Sequence, residues 1–162
     1  MRLSEVSVTP MFHTKKPPMP TFSGDRSDWP EFKSVWHALA ETQFTNKFQL
    51  AMLLKQVCHR GRAKDLLKNV CVTSDAAYNE MWQRLSEEYD DTGLCVQAAH
   101  QRLDAIKRVD EFDYEGMVKL VDAVEGVHNM LKELNMLDAI HMSHVDDLGL
   151  KLPRSIHHDW TR

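Results

Sequence analysis

The chain has 162 residues and a mass of 18.8 kDa, enough for one compact domain or two small lobes. Hydrophobic residues make up 43% and charged residues 27%, a balance that supports a buried core and excludes wholesale disorder. Twenty Lys+Arg against 24 Asp+Glu leave a formal charge of −4, which excludes a globally basic nucleic-acid binder but leaves room for a local basic patch.

Residues 1–20 read as a flexible arm. Pro10, Pro17, Pro18 and Pro20 block helical and central-strand hydrogen bonding, and Lys15 and Lys16 add positive charge. The arm lacks the long apolar stretch of a secretory signal. Order is expected from Thr21, with Gly24 in a turn that needs positive φ. Asp28-Trp29-Pro30-Glu31 reads as a helix start: Asp28 caps, Pro30 sits in the first turn, and Glu31 completes a capping box. Trp29, Phe32, Val35, Trp36 and Leu39 then recur at helical spacing and place three aromatics on one face.

A second helix is expected from about Thr45 to Cys58 with Leu50, Leu53, Leu54 and Val57 inward. Its run Leu50–Leu54 is the longest apolar stretch and is far short of the roughly 20 residues a membrane span needs. A third helix follows Gly61, with Ala63, Leu66, Leu67 and Val70 inward. Ser74 caps a fourth, whose face is Tyr78, Met81, Trp82, Leu85 and Tyr89. That helix ends in Glu87, Glu88, Asp90 and Asp91. Acidic residues oppose the dipole at a helix C-terminus, so the chain should break near Asp90–Gly93.

Beyond the break, Val96, Ala99, Leu103 and Ile106 mark a fifth helix. Met117, Leu120, Val121, Val124, Val127, Leu131 and Leu134 mark a long sixth. Ser143 with Asp146 reads as the cap of another, and Pro153 permits a short last helix through Ile156 to Trp160. No segment alternates with period two. The reading is all-α, with roughly seven or eight helices, in two small lobes: residues 21–90, a hinge at 91–95, and residues 96–162.

Candidate chemistry is sparse. Asp91-Thr92-Gly93 matches the aspartic-protease triplet, but that triplet must leave a buried apolar strand, and here an acidic helix end precedes it. The triplet reads as a turn between lobes, and no enzyme is expected. His141 and His144, three apart and beside Asp146 and Asp147, can share a helix face, but nothing nearby completes a metal site. His157-His158 reads as surface. Cys58, Cys71 and Cys95 are too scattered for a zinc knuckle, and their odd number suits free buried thiols in a reducing, cytoplasmic setting. No cofactor or metal is expected. Lys55, His59, Arg60, Arg62, Lys64 and Lys68 form a basic stretch around Gly61. It is a candidate polyanion surface, though Asp65 interrupts it and no aromatics interleave. Trp29, Phe32, Trp36, Trp82 and Tyr89 read mainly as core, with part of that face a candidate groove for a short peptide.

Together these motifs resemble the Gag region of Bel/Pao-type retrotransposons. Pro20-Thr21-Phe22-Ser23-Gly24-Asp25 followed by Trp29 and Phe32 looks like that family's Pro-x-Phe-x-Gly-Asp-x-x-x-Trp-x-x-Phe opening. Lys47-Phe48 with Leu50, and Gly61-x-Ala63, are similar to its second and third helices. Tyr78, Trp82, Leu85 and Tyr89-Asp90 match its aromatic fourth helix, and Leu152-Pro153 with Trp160 its closing segment. The resemblance spans about residues 17–160. It implies a retroviral capsid-like fold of two hinged helical lobes that self-assembles into shell-like particles around element RNA; related domesticated Gag proteins such as Arc also form particles. The expected partners are therefore further copies of the chain, with non-specific RNA or a short peptide as alternatives, and no membrane. The zinc knuckle of longer Gag polyproteins is missing from this sequence, and shell formation does not need one.

Overall fold

The two prolines that open the described chain, Pro17 and Pro18, hold it extended until Phe22 turns inward. The structure, a computed structural model, describes residues 17–160, and the arm up to Lys16 lies outside the described residues. The Phe22 N–H donates to the Val57 carbonyl at 3.2 Å, and the Ala63 N–H donates to the Ser23 carbonyl at 3.4 Å. Two glycines make this close approach possible. Gly24 has φ +105°, and a Cβ there would stand 2.6 Å from the Tyr89 hydroxyl and 2.9 Å from the Ala63 nitrogen. Gly61 has φ +59°, and its Cβ would lie 2.2 Å from the Ser23 carbonyl oxygen. Only glycine combines that backbone with that lack of space.

Asp25 caps a 3-10 turn, Arg26–Asp28, by accepting from the Ser27 N–H at 2.9 Å. Helix α1, Trp29–Gln43, follows with Pro30 in its first turn. The capping box expected of Asp28 and Glu31 does not form. Asp28 holds the cap position, but its carboxylate turns to Arg102, 3.0 Å away. Helix α2 is Lys47–Val57, two residues shorter at its start than expected because Asn46 accepts from the Phe48 N–H and sets the boundary. Helix α3 is Gly61–Leu67 and α4 is Ala76–Tyr89. Ser74 does not cap α4 with its side chain; Asp75 holds the cap position, and the Ser74 carbonyl accepts from the Ala77 N–H.

The second half continues with α5, Thr92–Asp104, and α6, Tyr114–Glu133, which is capped by Asp113. A 3-10 turn at Leu137–Ala139 leads to α7, Met142–Lys151, and α8, Arg154–Trp160. Ser143 lies inside α7 and is not its cap. The cap position belongs to His141, whose N–H donates to Nδ1 of His144 at 3.2 Å. Among the described residues there is no strand, and no helix is long and apolar enough to cross a membrane. The fold is all-α.

Residues 92–95, expected in a hinge over 91–95, are helical: Asp90 and Asp91 alone separate α4 from α5. The Asp91 carboxylate accepts from the Leu94 N–H at 3.0 Å, so it starts α5 directly. Helices α2 and α3 pack on α4, α5 lies along the 3-10 turn at Arg26–Asp28 and against α6, and α6 returns to α1. One buried cluster therefore runs from Phe22 through Trp36, Leu54 and Tyr89 to Ala99, Val127 and Leu131, joining residues 21–90 to residues 96–162. Helix α7 meets it only at its edge, through Leu148, and Gly149 is the one buried residue of α7.

The acidic end of α4 is reconciled with the helix dipole by partners rather than by solvent alone. Arg26 donates to the Glu88 carbonyl and, at 3.2 Å, to its carboxylate, with Arg62 3.6 Å from the other oxygen. Asp90 accepts from Trp29 Nε1 and Lys33 Nζ, both at 2.8 Å. Burial works against the charged form of Asp90, but these donors outweigh it and hold its carboxyl below the ordinary range.

Candidate interaction surface

Most residues of the family pattern form the lock between the leading loop, α1, α3 and α4. Phe22 stacks on Phe32 at 5.0 Å between ring centroids, meets Tyr89 edge-on at 5.0 Å and Trp29 at 5.3 Å. Trp36 is fully enclosed, and its Nε1 donates to the Tyr78 hydroxyl at 3.0 Å. Ala63 and Leu85 are buried in the same cluster, Pro20 is half-buried, and Pro153 is buried at the α7–α8 junction. Burial pushes the Tyr89 phenol up to about 12, and its hydroxyl has no hydrogen-bond partner.

The face of Trp29, Phe32 and Trp36 is filled by the chain's own Phe22, Trp82 and Tyr89, as expected of core. Trp82 is only half-buried: one side meets Trp29 and Trp36, and His37 stands edge-on to it at 4.9 Å. Trp82 lines a cleft of about 650 Å³ with Glu41, Phe44, Lys47, Tyr78 and Asn79; a groove edged by the aromatic face is expected from the sequence, but Glu41 and Lys47 in its wall are not. Glu41 accepts from the Tyr78 hydroxyl at 2.6 Å and lies 2.8 Å from His37 Nδ1. Burial disfavours its ionised form, yet these two neighbours hold its carboxyl below the ordinary range. Such a relay fixes α1 to α4.

The basic stretch reaches the surface as a mixed-charge face. Arg60, Arg62, Lys64 and Lys68 are exposed and Lys55 is half-buried. Lys55 donates to the Lys68 carbonyl at 3.4 Å, Lys68 pairs with Asp65 at 3.1 Å, and Arg62 faces Glu88. Asp91 of the Asp-Thr-Gly triplet caps a helix, as described above. Cys58 and Cys95 are buried, but Cys71 is exposed, contrary to expectation, because it falls in the turn after α3. Burial raises both buried thiols, Cys58 to about 12, and Cys95 Sγ contacts the Tyr89 carbonyl at 3.3 Å. Among the described residues no group of three or more His, Cys, Asp or Glu is arranged to hold a metal ion.

The second half presents a different surface. Of the eleven large hydrophobic side chains that are exposed among the described residues, nine fall at or after Leu94. Tyr114, Val118 and Val121 make one outward stripe on α6, and Met142 and Leu150 project from α7. Between these helices runs a groove of about 250 Å³ lined by Leu120, Val121, Val124, Val145, Leu148 and Leu152. Val121 is exposed and Val124 half-buried against the core, and both edge this groove. Phe112 is the sharpest feature. It has φ +66°, a backbone that bulky residues rarely adopt, and the residue is 89% exposed. Such a conformation costs on the order of 1–3 kcal/mol, and this chain supplies no packing in return.

A family model described as a protein of unknown function (DUF1759) matches residues 22–162, nearly the whole chain. The chain belongs to this family, which occurs in Gag-like regions of retrotransposon polyproteins. No curated protein and no solved structure matches it.

Proposed function

We propose that the chain is the capsid-forming Gag segment of a Bel/Pao-type retroelement, or a domesticated derivative of one, and that it self-associates through the apolar surface of its second half. The observation that carries this reading is the concentration of exposed apolar side chains on α6, α7 and the Phe112 loop, around an open groove. Exposed apolar area on this scale beside a well-filled core suits a contact surface. Identical weak contacts repeated around closed symmetry then add up through multivalency. The work is structural, so no catalytic group, cofactor or metal enters it, and the cytoplasm suits a chain with free thiols. RNA is a secondary partner in this reading, held without sequence preference by exposed Arg60 and Lys64 beside Arg62.

Light scattering and electron microscopy of the purified chain test it across concentration and salt. Multimers that Val121→Asp dissolves are expected. Monomer under every condition would remove the proposal. RNA affinity that stays flat with salt would remove the secondary partner alone.

A further inference from the structure

Three imidazoles meet where α5 faces α7. His100, on α5, stacks on His144 with ring centroids 4.4 Å apart and planes 27° from parallel. His144 in turn faces His141, with centroids 5.8 Å apart. We propose that this stack is a pH-sensitive clasp: neutral, it holds the first turn of α7 on α5; protonated, it lets that turn go.

The argument rests on where each ring nitrogen points. His144 Nδ1 accepts the His141 N–H and so satisfies one of the open donors at the start of α7. A nitrogen in that role carries no proton of its own. Protonating it replaces an acceptor with a donor that faces another donor, and places positive charge at the positive end of the helix dipole. His100 Nε2 is buried without a partner, so a proton there gains no hydrogen bond. Two charged rings 4.4 Å apart would also repel.

The surrounding charges do not reverse this. Asp104 on α5 and Asp147 and Lys151 on α7 border the small cavity beneath the rings, together with Leu103 and Leu148. Lys151 is turned to the carbonyls of Asp104 and Ile106, at 3.1 and 2.6 Å. Burial and the neighbouring His144 lower the His100 pKa, and the opposing pull of Asp104 is the smaller effect. Little else anchors this helix: Gly149 is its one buried residue, and its far end is tied by the Val109 N–H to the Lys151 carbonyl at 2.8 Å. Val145, Leu148 and Gly149 wall the apolar groove, so release changes the groove whatever occupies it.

Amide hydrogen exchange on the full chain tests the clasp without reference to self-association. Between about pH 7.5 and about pH 5.5, which bracket the ordinary imidazole range, protection of Val145–Gly149 should fall about tenfold or more after correction for intrinsic rates. Amides of Met81–Leu85 in α4 should change less than about twofold. His144→Asn keeps an acceptor near Nδ1 and cannot ionise, so it should remove most of this response. Unchanged protection in the wild type, or a full response in His144→Asn, overturns the proposal. If the variant loses α7 at all pH values, a titration of the wild-type imidazoles by nuclear magnetic resonance decides. The Val145 amide should then shift together with the protonation of the stacked rings, and a Val145 amide that does not respond while they titrate overturns the clasp.

Discussion

The bundle of α1 to α4 and the layer of α5 to α8 are built from similar amphipathic helices but finish differently. In the first, almost every large apolar side chain is spent inward. Seven Phe, Trp and Tyr rings interlock, the indole N–H groups of Trp29 and Trp36 find acceptors, and two glycines press the leading loop onto α3. In the second, α5 and one face of α6 complete that core, while the other face of α6 and most of α7 and α8 stay open. Buried and exposed apolar side chains are thus divided along the chain.

The largest effects should come from the first region. Trp36→Ala removes a fully buried ring and strips the Tyr78 hydroxyl of its donor, and should cost about 3–5 kcal/mol in urea unfolding. Trp82→Ala, from a half-buried site, should cost about 1–2 kcal/mol. Equal losses would break the distinction drawn between them. Gly24→Ala combines positive φ with a contact 2.6 Å from the Tyr89 oxygen, and should lower stability by about 1–3 kcal/mol. Arg102 bridges the regions by gripping Asp25 and Asp28 from α5, but the pair is partly solvated, so Arg102→Met should cost about 1 kcal/mol or less. Val121→Asp should change monomer stability by about 0.5 kcal/mol or less while abolishing multimers. A large loss of stability there would mean that the second region keeps its core where we place its contacts.

Acid should also separate the two regions. Asp25, Glu41 and Asp90 have lowered pKa values: burial opposes ionisation, but hydrogen bonds and cations outweigh it. Their stabilisation is present above the unfolded values of 3.8 to 4.5 and is lost as pH falls below them. His100 is a base with a lowered value, so the unfolded chain takes up its proton first. Its contribution therefore declines as pH falls through 6.5. Circular dichroism with site-resolved exchange should show α7 loosening in mild acid, well before α1 to α4. Loss of both regions at one pH would contradict this order.

Helix existence was legible in the sequence because the 3.6-residue pattern is strong in α1, α4 and α6. Caps were less so, since the choice is a competition with distant partners. Asp28 is an adequate cap by type, but Arg102, which is remote in sequence, claims its carboxylate. His141 and His144 displace Ser143 because a ring nitrogen three residues on reaches back to the free N–H. The open surface was not legible. Val121, Val124 and Trp82 sit on apolar faces, and a face reads the same whether a neighbouring helix covers it or not. That covering is decided by how closely α7 approaches α6, which no local pattern encodes.

Phe112 gives this division a practical handle. Glycine at that position would relax the backbone and delete the ring in a single change, so Phe112→Gly should leave the lone molecule at least as robust while blunting whatever the ring grips. Few positions let cohesion within a molecule and the proposed adhesion between molecules move in opposite directions, so this substitution would separate the two.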